Sequence, residues 1–245
     1  MSDKKIYEVI RFEKGVAIFM EDHLERLIKS ARVSNLAISF TEKDIYNKYN
    51  SQNFNDDKII NIRIEVDENG YSFNFAEPVK TDSKMYIDGV NVLTVMQERK
   101  NPNVKSSEQS YFSRLSEQYK GQNIFEFILY DNNVLKEGTR SNFFGVKDGK
   151  IYTQDNKAVL MGVTRKKVFM LAESLGIPIC YDDIYFDKIE DMDAFFITGT
   201  SIGVMPIGKI DDTFFASAGN GTLVKLRNAY DNYVKEYIKI HKKQA

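Results

Sequence analysis

The sequence is poor in the residues that build several common kinds of site. Its 245 residues include one cysteine, Cys180, and two histidines, His23 and His241. A single thiol excludes an internal disulfide, and we interpret Cys180 as a buried strand thiol. So few cysteines and histidines also exclude a zinc cluster made from these two residue types, and they disfavour a histidine-rich site. We therefore predict no metal site.

Charge and hydropathy exclude further classes of partner. The formal net charge is −1 at pH 7, so no basic field indicates nucleic acid. The most apolar stretch, residues 194–208, is too short and too rich in glycine to span a bilayer. The first residues lack the apolar core of a signal peptide, which favours a cytoplasmic protein. Hydrophobic residues make up 42% of the chain, enough for one large or two modest domains.

The N-terminal third alternates between strand and helix patterns. Thr41-Glu42-Lys43-Asp44 resembles a capping box, with aspartate in the usual glutamate position. Asp67-Glu68-Asn69-Gly70 is a strong turn signal. The predicted elements are a hairpin over residues 6–12 and 16–19, a helix opened by Asp22, a helix started by Thr41, and a hairpin over residues 59–66 and 71–75.

A polar, aperiodic stretch from Glu77 to Ser83 marks a change in organisation. We predict a small domain over residues 1–78, a linker over residues 79–88 and a larger domain over residues 89–245. The larger domain is predicted to contain strands over residues 89–97, 124–130, 134–135, 142–146, 151–153 and 194–198, and helices after Lys105, over residues 164–175 and along the stripe from Leu223 to Ile238.

A lysine and a carboxylate occur in an order that suits a cofactor able to condense with an amine. Lys105 follows Pro102 at a predicted strand-to-helix junction, and Glu137 opens the segment Glu137-Gly138-Thr139-Arg140-Ser141-Asn142. An unprotonated lysine amine attacks an aldehyde. A carboxylate beside a pyridine nitrogen favours the protonated ring, which acts as an electron sink. Taken alone, each residue has an ordinary surface or turn interpretation, so the inference depends on their combination.

Two glycine-containing turns have the composition of phosphate-binding turns. Gly162-Val163-Thr164 opens a predicted helix, whose first N–H groups and dipole favour an anion. Gly199-Thr200-Ser201 has the composition of a second such turn. Arg26, beside the apolar stripe of the first helix, is a candidate for a charge-assisted pair with the phosphate. Ordinary helix capping and a solvated arginine are the alternative interpretations.

The order and spacing of these motifs resemble the class IV aminotransferases, which are the fold-type IV pyridoxal-phosphate (PLP) enzymes. That family includes branched-chain and D-amino acid aminotransferases and 4-amino-4-deoxychorismate lyases. The resemblance extends from Tyr7 to about Tyr230. It implies an α+β fold with a small N-terminal α/β sandwich domain and a larger C-terminal β-pseudobarrel with flanking helices. It also implies a homodimer whose active sites each lie between the two domains.

The resemblance assigns site residues position by position. Tyr7-Glu8-Val9-Ile10 is similar to the strand whose tyrosine borders the substrate. His23-Leu24-Glu25-Arg26-Leu27 is similar to the helix whose arginine, here Arg26, binds the cofactor phosphate. Lys105 is similar to the Schiff-base lysine, and Glu137 to the glutamate that meets the pyridine nitrogen. The other cofactor-binding candidates are Ser141, Asn142, Val163, Thr164, Thr200 and Ser201.

Two arginines are candidates for binding a substrate carboxylate. Arg63 alternates with Ile62 and Ile64 along a predicted strand, so its side chain lies on the opposite face from theirs. That face is either the substrate pocket or solvent. Arg140 is the second candidate.

Three departures from the family pattern bear on specificity. The chain begins almost at the Tyr7 strand, which predicts a reduced N-terminal edge. Branched-chain enzymes have a tyrosine five residues after the lysine, where this chain has Ser110 followed by Tyr111, so the partner of the cofactor's phenolic oxygen is open. No Arg-x-His pair follows the strand of residues 59–66, which disfavours D-amino acid specificity.

The predicted activity is PLP-dependent transfer of an amino group between an amino acid, branched-chain-like or other, and a 2-keto acid through the Lys105 Schiff base. The alternative within PLP chemistry is a 4-amino-4-deoxychorismate lyase, which eliminates pyruvate after the same proton abstraction. The alternative outside it is a cofactor-free binding protein that kept the fold. Small-molecule substrates are the expected partners, with neither nucleic acid nor membrane.

Overall fold

The computed structural model describes residues 5–55, 58–97 and 110–242. These residues form two compact units. The first unit contains residues 5–55, 58–79 and 232–242, and the second contains residues 80–97 and 110–231. The predicted small domain ended at residue 78, but the end of the chain groups with the first unit rather than with the second.

The first unit is built on a four-stranded sheet. Its elements are β1 (Ile6–Glu13), β2 (Val16–Ala17), α1 (Met20–Ser34), α2 (Glu42–Asn50), β3 (Ile60–Asp67) and β4 (Gly70–Ala76). The strand order is β2-β1-β3-β4, with every neighbouring pair antiparallel. The predicted capping box of α2 is confirmed, since the Thr41 N–H donates to the Asp44 carboxylate over 2.8 Å.

One face of this sheet forms the core of the first unit. Alternate residues of β1 are buried, as the period of two in a strand requires. Ile6, Ile10 and Phe12 pack in this core with side chains from β3, α1 and α2. Glu8 belongs to the same buried series, although it is a carboxylate.

The second unit contains the remaining elements of the chain. They are α3 (Ser83–Asp88), β5 (Val90–Met96), α4 (Ser110–Gln118), β6 (Glu126–Asp131), β7 (Val134–Gly138), β8 (Asn142–Lys147), β9 (Lys150–Tyr152), α5 (Val163–Ser174), β10 (Ile179–Cys180), β11 (Ile184–Tyr185), β12 (Ala194–Gly199), β13 (Gly203–Ile210), β14 (Thr213–Phe214), α6 (Gly221–His241) and two short 3-10 helices (Phe186–Asp191 and Ser217–Gly219). Residues 232–241 of α6 group with the first unit.

Six strands of the second unit close into a barrel in the order β8-β12-β13-β5-β6-β7. The barrel closes because β7 pairs with β8, and a single residue pair, Glu137 opposite Asn142, defines that ladder. This architecture confirms the predicted α+β fold with a C-terminal β-pseudobarrel. No helix among the described residues is long and apolar enough to cross a membrane.

The predicted linker over residues 79–88 contains a helix, α3. Asp82 starts it, because its side chain accepts a hydrogen bond from the Met85 N–H over 3.0 Å. The helix buries none of its residues, so it has no apolar stripe that a sequence pattern would reveal. The stretch therefore contains an exposed helix whose first turn is held by its cap.

Candidate active site

Three polar side chains form a row across neighbouring barrel strands. Glu137 on β7 lies opposite Asn142 on β8, and Asn142 lies opposite Thr198 on β12. Directly opposed residues in antiparallel ladders project to the same face of the sheet, so the three side chains share one face. All three are buried. The row brings two predicted cofactor residues together with Thr198, to which the sequence analysis gave no role.

Leu160 connects this row to the start of α5. Its N–H donates to the Glu137 carboxylate over 3.1 Å, and its carbonyl accepts from the Asn142 amide over 2.7 Å. Two residues later, Gly162 approaches the same amide so closely that a Cβ there would lie 2.1 Å from Asn142 Oδ1. A glycine is therefore required at this position, and Glu137 and Asn142 hold the segment that leads into the helix.

The first turn of α5 has the features of an anion site. Its N-cap residue is Gly162, and no side chain among the described residues caps the helix. Val163 and Thr164 in this turn are buried. Uncapped N–H groups and the helix dipole favour a negative group at this end of α5.

The second predicted phosphate turn lies at the end of the neighbouring strand. Helix α5 packs against β12, and Thr200 and Ser201 form the turn from β12 to β13. A Cβ built on Gly199 would lie 3.8 Å from the Arg140 carbonyl, so this turn also approaches the loop between β7 and β8. The second unit thus gathers the predicted cofactor residues that belong to it on adjacent strand ends and one helix start.

Thr198 carries an unsatisfied polar atom. Its Oγ1 is buried and has no hydrogen-bond partner among the described residues. Such a group costs free energy and is uncommon in native proteins, so each one calls for an explanation. A molecule bound beside the row of Glu137, Asn142 and Thr198 would supply the missing hydrogen bond.

Glu126 organises the loop that contains Ser141 and Arg140. The Ser141 hydroxyl donates to Glu126 over 2.9 Å, so its described contact is with this carboxylate. The Arg140 guanidinium donates to the Phe125 carbonyl over 2.8 Å and lies 3.8 Å above the Phe112 ring. Burial lowers the pKa of Arg140, and the Glu126 charge partly opposes that shift.

In the first unit, Arg26 is held by a buried carboxylate. Arg26 donates to both oxygens of Glu8, from Nε over 2.8 Å and from Nη2 over 2.6 Å. His23 Nδ1 lies 3.0 Å from the same carboxylate, and since an ionised carboxylate only accepts, this nitrogen carries the hydrogen. The two-point contact with Glu8 fixes the plane of the Arg26 guanidinium.

The substrate candidates of the first unit are in direct contact. The Arg63 guanidinium lies 3.8 Å above the Tyr7 ring, and its Nε donates to Glu65 over 2.8 Å. Its Nη2 is buried and has no hydrogen-bond partner among the described residues. The side chain is only 12% exposed, so a plain solvent face does not account for it.

Residues 5–210 match the family model described as amino-transferase class IV. The chain belongs to the class IV aminotransferase family. Class IV aminotransferases are PLP enzymes.

Relatives of this chain carry several functional names. It is 27% identical over 240 residues to a D-alanine aminotransferase of Bacillus licheniformis, covering 90% of this chain and 83% of that protein. A candidate branched-chain amino acid aminotransferase of Thermotoga maritima superposes with a TM-score of 0.80 at 24% identity, over 94% of this chain and 86% of that one. A candidate 4-amino-4-deoxychorismate lyase of Legionella pneumophila gives a TM-score of 0.79 at 18% identity, over 94% and 91%. Structural likeness at these identities shows the shared fold.

The predicted Schiff-base lysine, Lys105, lies outside the described residues. Helix α4 begins at Ser110, whose side chain also lies outside the described part. Tyr111 follows on α4 and is half-buried, and burial raises the pKa of its hydroxyl.

Arg165 is a functional candidate that the sequence analysis missed. It is fully buried on α5, and burial lowers its pKa to about 10, while Tyr181 and Glu137 oppose that shift. Its guanidinium lies over the rings of Phe144 and Phe169. Its acceptors are neutral: the Thr153 hydroxyl (2.6 Å), the Gln154 carbonyl (2.5 Å) and the Asn156 amide oxygen (3.1 Å).

For Glu8 and Arg165, the signal available in the sequence was their position in a repeating pattern of buried residues. Glu8 falls in the buried alternation of β1, and Arg165 shares the buried face of α5 with Val168 and Ala172. A charged residue at a position where the pattern expects a buried apolar one is rarely tolerated without a partner. Such a residue therefore indicates a specific polar contact. Glu126 also stands in an apolar run, between Phe125 and Phe127, whereas Leu160 gave no comparable signal because its contacts are made by backbone atoms.

Proposed function

We propose that this protein is a PLP-dependent aminotransferase that moves an amino group between an amino acid and a 2-keto acid. One observation carries the proposal: the buried Glu137 carboxylate stands in a row with Asn142 and Thr198, directly beside the uncapped start of α5. Membership in the class IV family supports the same conclusion.

The residues of the second unit suit the polar groups of PLP. The cofactor carries a phosphate, which matches the uncapped N–H groups of α5 and the Thr164 hydroxyl. It also carries a ring nitrogen, for which the candidate is the buried carboxylate of the row, Glu137. The unpartnered Thr198 hydroxyl is a polar atom that a bound ligand would satisfy.

Each residue then has a definite task. Bound PLP supplies an electron sink for the substrate Cα carbon. The Glu137 carboxylate favours the proton on the ring nitrogen, because an opposite charge stabilises the cationic form. We assign the amine of Lys105 to covalent attachment of the cofactor and to moving the Cα proton as base and then acid. The assigned phosphate and ring contacts are Arg26, Ser141, Asn142, Val163, Thr164, Thr200 and Ser201.

For the substrate carboxylate we propose Arg63 beside Tyr7. Arg63 has a buried Nη2 without a partner among the described residues, whereas the Arg140 guanidinium already binds the Phe125 carbonyl and packs on Phe112. A buried donor left unpaired costs free energy that a bound carboxylate would recover. Arg140 is therefore the weaker of the two candidates. We also propose a homodimer, as the family resemblance implies.

Adding PLP to the protein is expected to produce a visible absorption band, and Lys105→Ala is expected to abolish it, because the band requires covalent attachment to the lysine amine. Lys120→Ala, which removes an exposed lysine, is the matched control and should keep the band. Absorbance spectra before and after dialysis measure both effects. A band that survives Lys105→Ala would assign the lysine elsewhere, and a wild-type protein without a band would contradict PLP chemistry.

A donor panel tests the reaction itself. PLP-loaded protein is incubated with L-, D- and primary-amine donors and 2-oxoglutarate, and keto-acid exchange is followed. Exchange with at least one donor is expected. Pyruvate release from 4-amino-4-deoxychorismate without any exchange would identify a lyase instead. Exchange confined to D-alanine would show that the missing Arg-x-His pair does not govern stereochemistry in this chain.

Thr198→Val is expected to stabilise the cofactor-free protein by about 1 kcal/mol, because it removes a buried hydroxyl that has no hydrogen-bond partner in the described part of the chain. The same change should weaken PLP binding. Thr153→Val is the matched control and should destabilise, since the Thr153 hydroxyl donates to the Phe143 carbonyl and accepts from Arg165. Urea unfolding and PLP titration measure the two effects. A destabilised Thr198→Val protein would mean that the hydroxyl is satisfied within the fold.

A further inference from the structure

Glu126 binds three consecutive residues of one turn. Its carboxylate accepts from the Thr139 hydroxyl over 2.6 Å and from the Ser141 hydroxyl over 2.9 Å. Arg140 Nε, between them in the chain, lies 3.7 Å from the same carboxylate. The Phe127 N–H adds a fourth contact at 2.9 Å. A single carboxylate thus holds the hydroxyls of Thr139 and Ser141 and lies near the Arg140 guanidinium between them.

Stability alone does not explain a carboxylate at this position. Glu126 is 1% exposed and begins a strand whose next three residues, 127–129, are buried and apolar. Its charge is not matched by a close ion pair, since the Arg140 nitrogen is at 3.7 Å and the other contacts are neutral donors. Burying a charge costs free energy that hydrogen bonds from neutral donors only partly offset, so burial of a carboxylate is weak evidence for a stabilising role. What the carboxylate does provide is a defined shape for the turn.

That turn sets the place of Glu137. The Gly138 N–H donates to the Ser141 carbonyl over 2.8 Å, which closes the turn directly between Glu137 and Asn142. There is no room for a side chain at Gly138, because a Cβ would lie 2.1 Å from Ser141 Oγ and 3.0 Å from the Glu126 side chain. Since Glu137 opposite Asn142 is the one pair that defines the β7–β8 ladder, a change in the turn moves the Glu137 carboxylate.

The residues around Glu126 also contact helix α4, which follows Lys105 in the chain. Arg140 stacks on Phe112 of α4 and donates to the Phe125 carbonyl, while Glu126 faces its Nε. Phe112 in turn packs on Phe127 at a ring-centroid distance of 5.8 Å. Glu126 therefore sits where the turn of Glu137 and the first residues of α4 are both anchored.

We propose that Glu126 is a positioning residue that aims the Glu137 carboxylate at the cofactor's ring nitrogen. The inference rests on the proposed function, because it assumes that Glu137 meets that nitrogen. Glu126 touches neither cofactor nor substrate in this assignment. It acts through the hydroxyls of Thr139 and Ser141, which hold the turn.

The test compares affinity for PLP with affinity for the PLP analogue that has carbon in place of the ring nitrogen. The ratio of the two dissociation constants isolates the contribution of Glu137. Glu126→Met, similar in size but without acceptors, is expected to weaken PLP binding by about tenfold, the lower end of what removing an orienting group costs at metal sites. Binding of the analogue should change less than about twofold, because it lacks the atom that Glu137 addresses.

Two further variants separate positioning from general damage. Glu126→Gln keeps an acceptor for Phe127 and Thr139 and can donate to the Ser141 hydroxyl, so it should restore most of the PLP preference. In a Glu137→Gln background, Glu126→Met should have no further effect on the ratio, as a shared pathway requires. Glu117→Met, at an exposed position on α4, is the matched control and should leave both affinities unchanged.

The outcomes are distinct. Equal loss of PLP and analogue binding in Glu126→Met would overturn the inference and indicate a purely structural role, and so would a full effect of Glu126→Met in the Glu137→Gln background. A wild-type protein that binds PLP and the analogue equally would overturn the Glu137 assignment on which the inference rests. A wild-type protein that binds neither would overturn the proposed function.

Discussion

Glu137→Gln is expected to slow amino transfer by roughly 10²- to 10³-fold, the cost of removing one preorganised group from a reacting centre. Glutamine matches glutamate in shape, so the row with Asn142 and Thr198 should persist. In the wild-type protein the Leu160 N–H donates to the Glu137 carboxylate over 3.1 Å. The amide carbonyl of the glutamine can accept the same hydrogen bond. What disappears is the negative charge that favours a protonated ring nitrogen.

Because the geometry is retained, the effect should fall on turnover rather than on folding. Steady-state rates at saturating PLP, with urea unfolding of the same samples, separate the two. Glu190→Gln changes an exposed carboxylate of the same unit and serves as the control. A Glu137→Gln enzyme with a rate within about threefold of wild type would exclude the ring-nitrogen role, since one electrostatic group normally contributes far more.

The second large effect is expected from a nominally mild change, Arg165→Lys, which should lower the free energy of unfolding by about 2–4 kcal/mol. Lysine keeps the buried charge but cannot reach three separate acceptors, so at least two of them lose their donor. Its ammonium is also more strongly hydrated than a guanidinium, so burial costs it more. The stacking on Phe144 and Phe169 is lost as well.

Arg165→Met should be less damaging than Arg165→Lys. Methionine also leaves the acceptors unpaired, but it removes the charge whose burial lowers the Arg165 pKa to about 10. Urea unfolding of the cofactor-free protein gives both values, with Arg32→Lys on the exposed side of α1 as the control. If lysine proved the milder replacement, charge rather than hydrogen-bond geometry would be what Arg165 contributes.

Periodic elements were accessible from the sequence because burial repeats along them. Helix α5 was predicted over residues 164–175 and extends over Val163–Ser174, since its buried side chains recur at helical spacing. Helix α3 was not predicted, because it is short and buries nothing. Strand β13 was also missed, although Gly199-Thr200-Ser201, between it and β12, was predicted to form a turn.

The site itself was only partly accessible. Order and spacing selected Glu137, Asn142 and Thr164, which the fold gathers in one region of the second unit. The partners that hold the site are distant in sequence or joined through the backbone, as with Glu126 and the Thr139–Ser141 turn. No local pattern encodes such contacts, because the pairing of β6 with β7 brings Glu126 beside the turn that follows β7. Family resemblance supplied roles that neither periodicity nor spacing would have given.

The short pairing between β7 and β8 should determine where the barrel opens. A ladder of one residue pair is the weakest strand pairing in the barrel. Local opening of the second unit should therefore begin between these two strands. Glu137, one of the two residues of this pair, is also the residue assigned to the ring nitrogen. A ligand bound at Glu137 should therefore stabilise the closed barrel. Amide hydrogen exchange along both flanking strands should therefore slow when the ligand binds, even at positions it never touches.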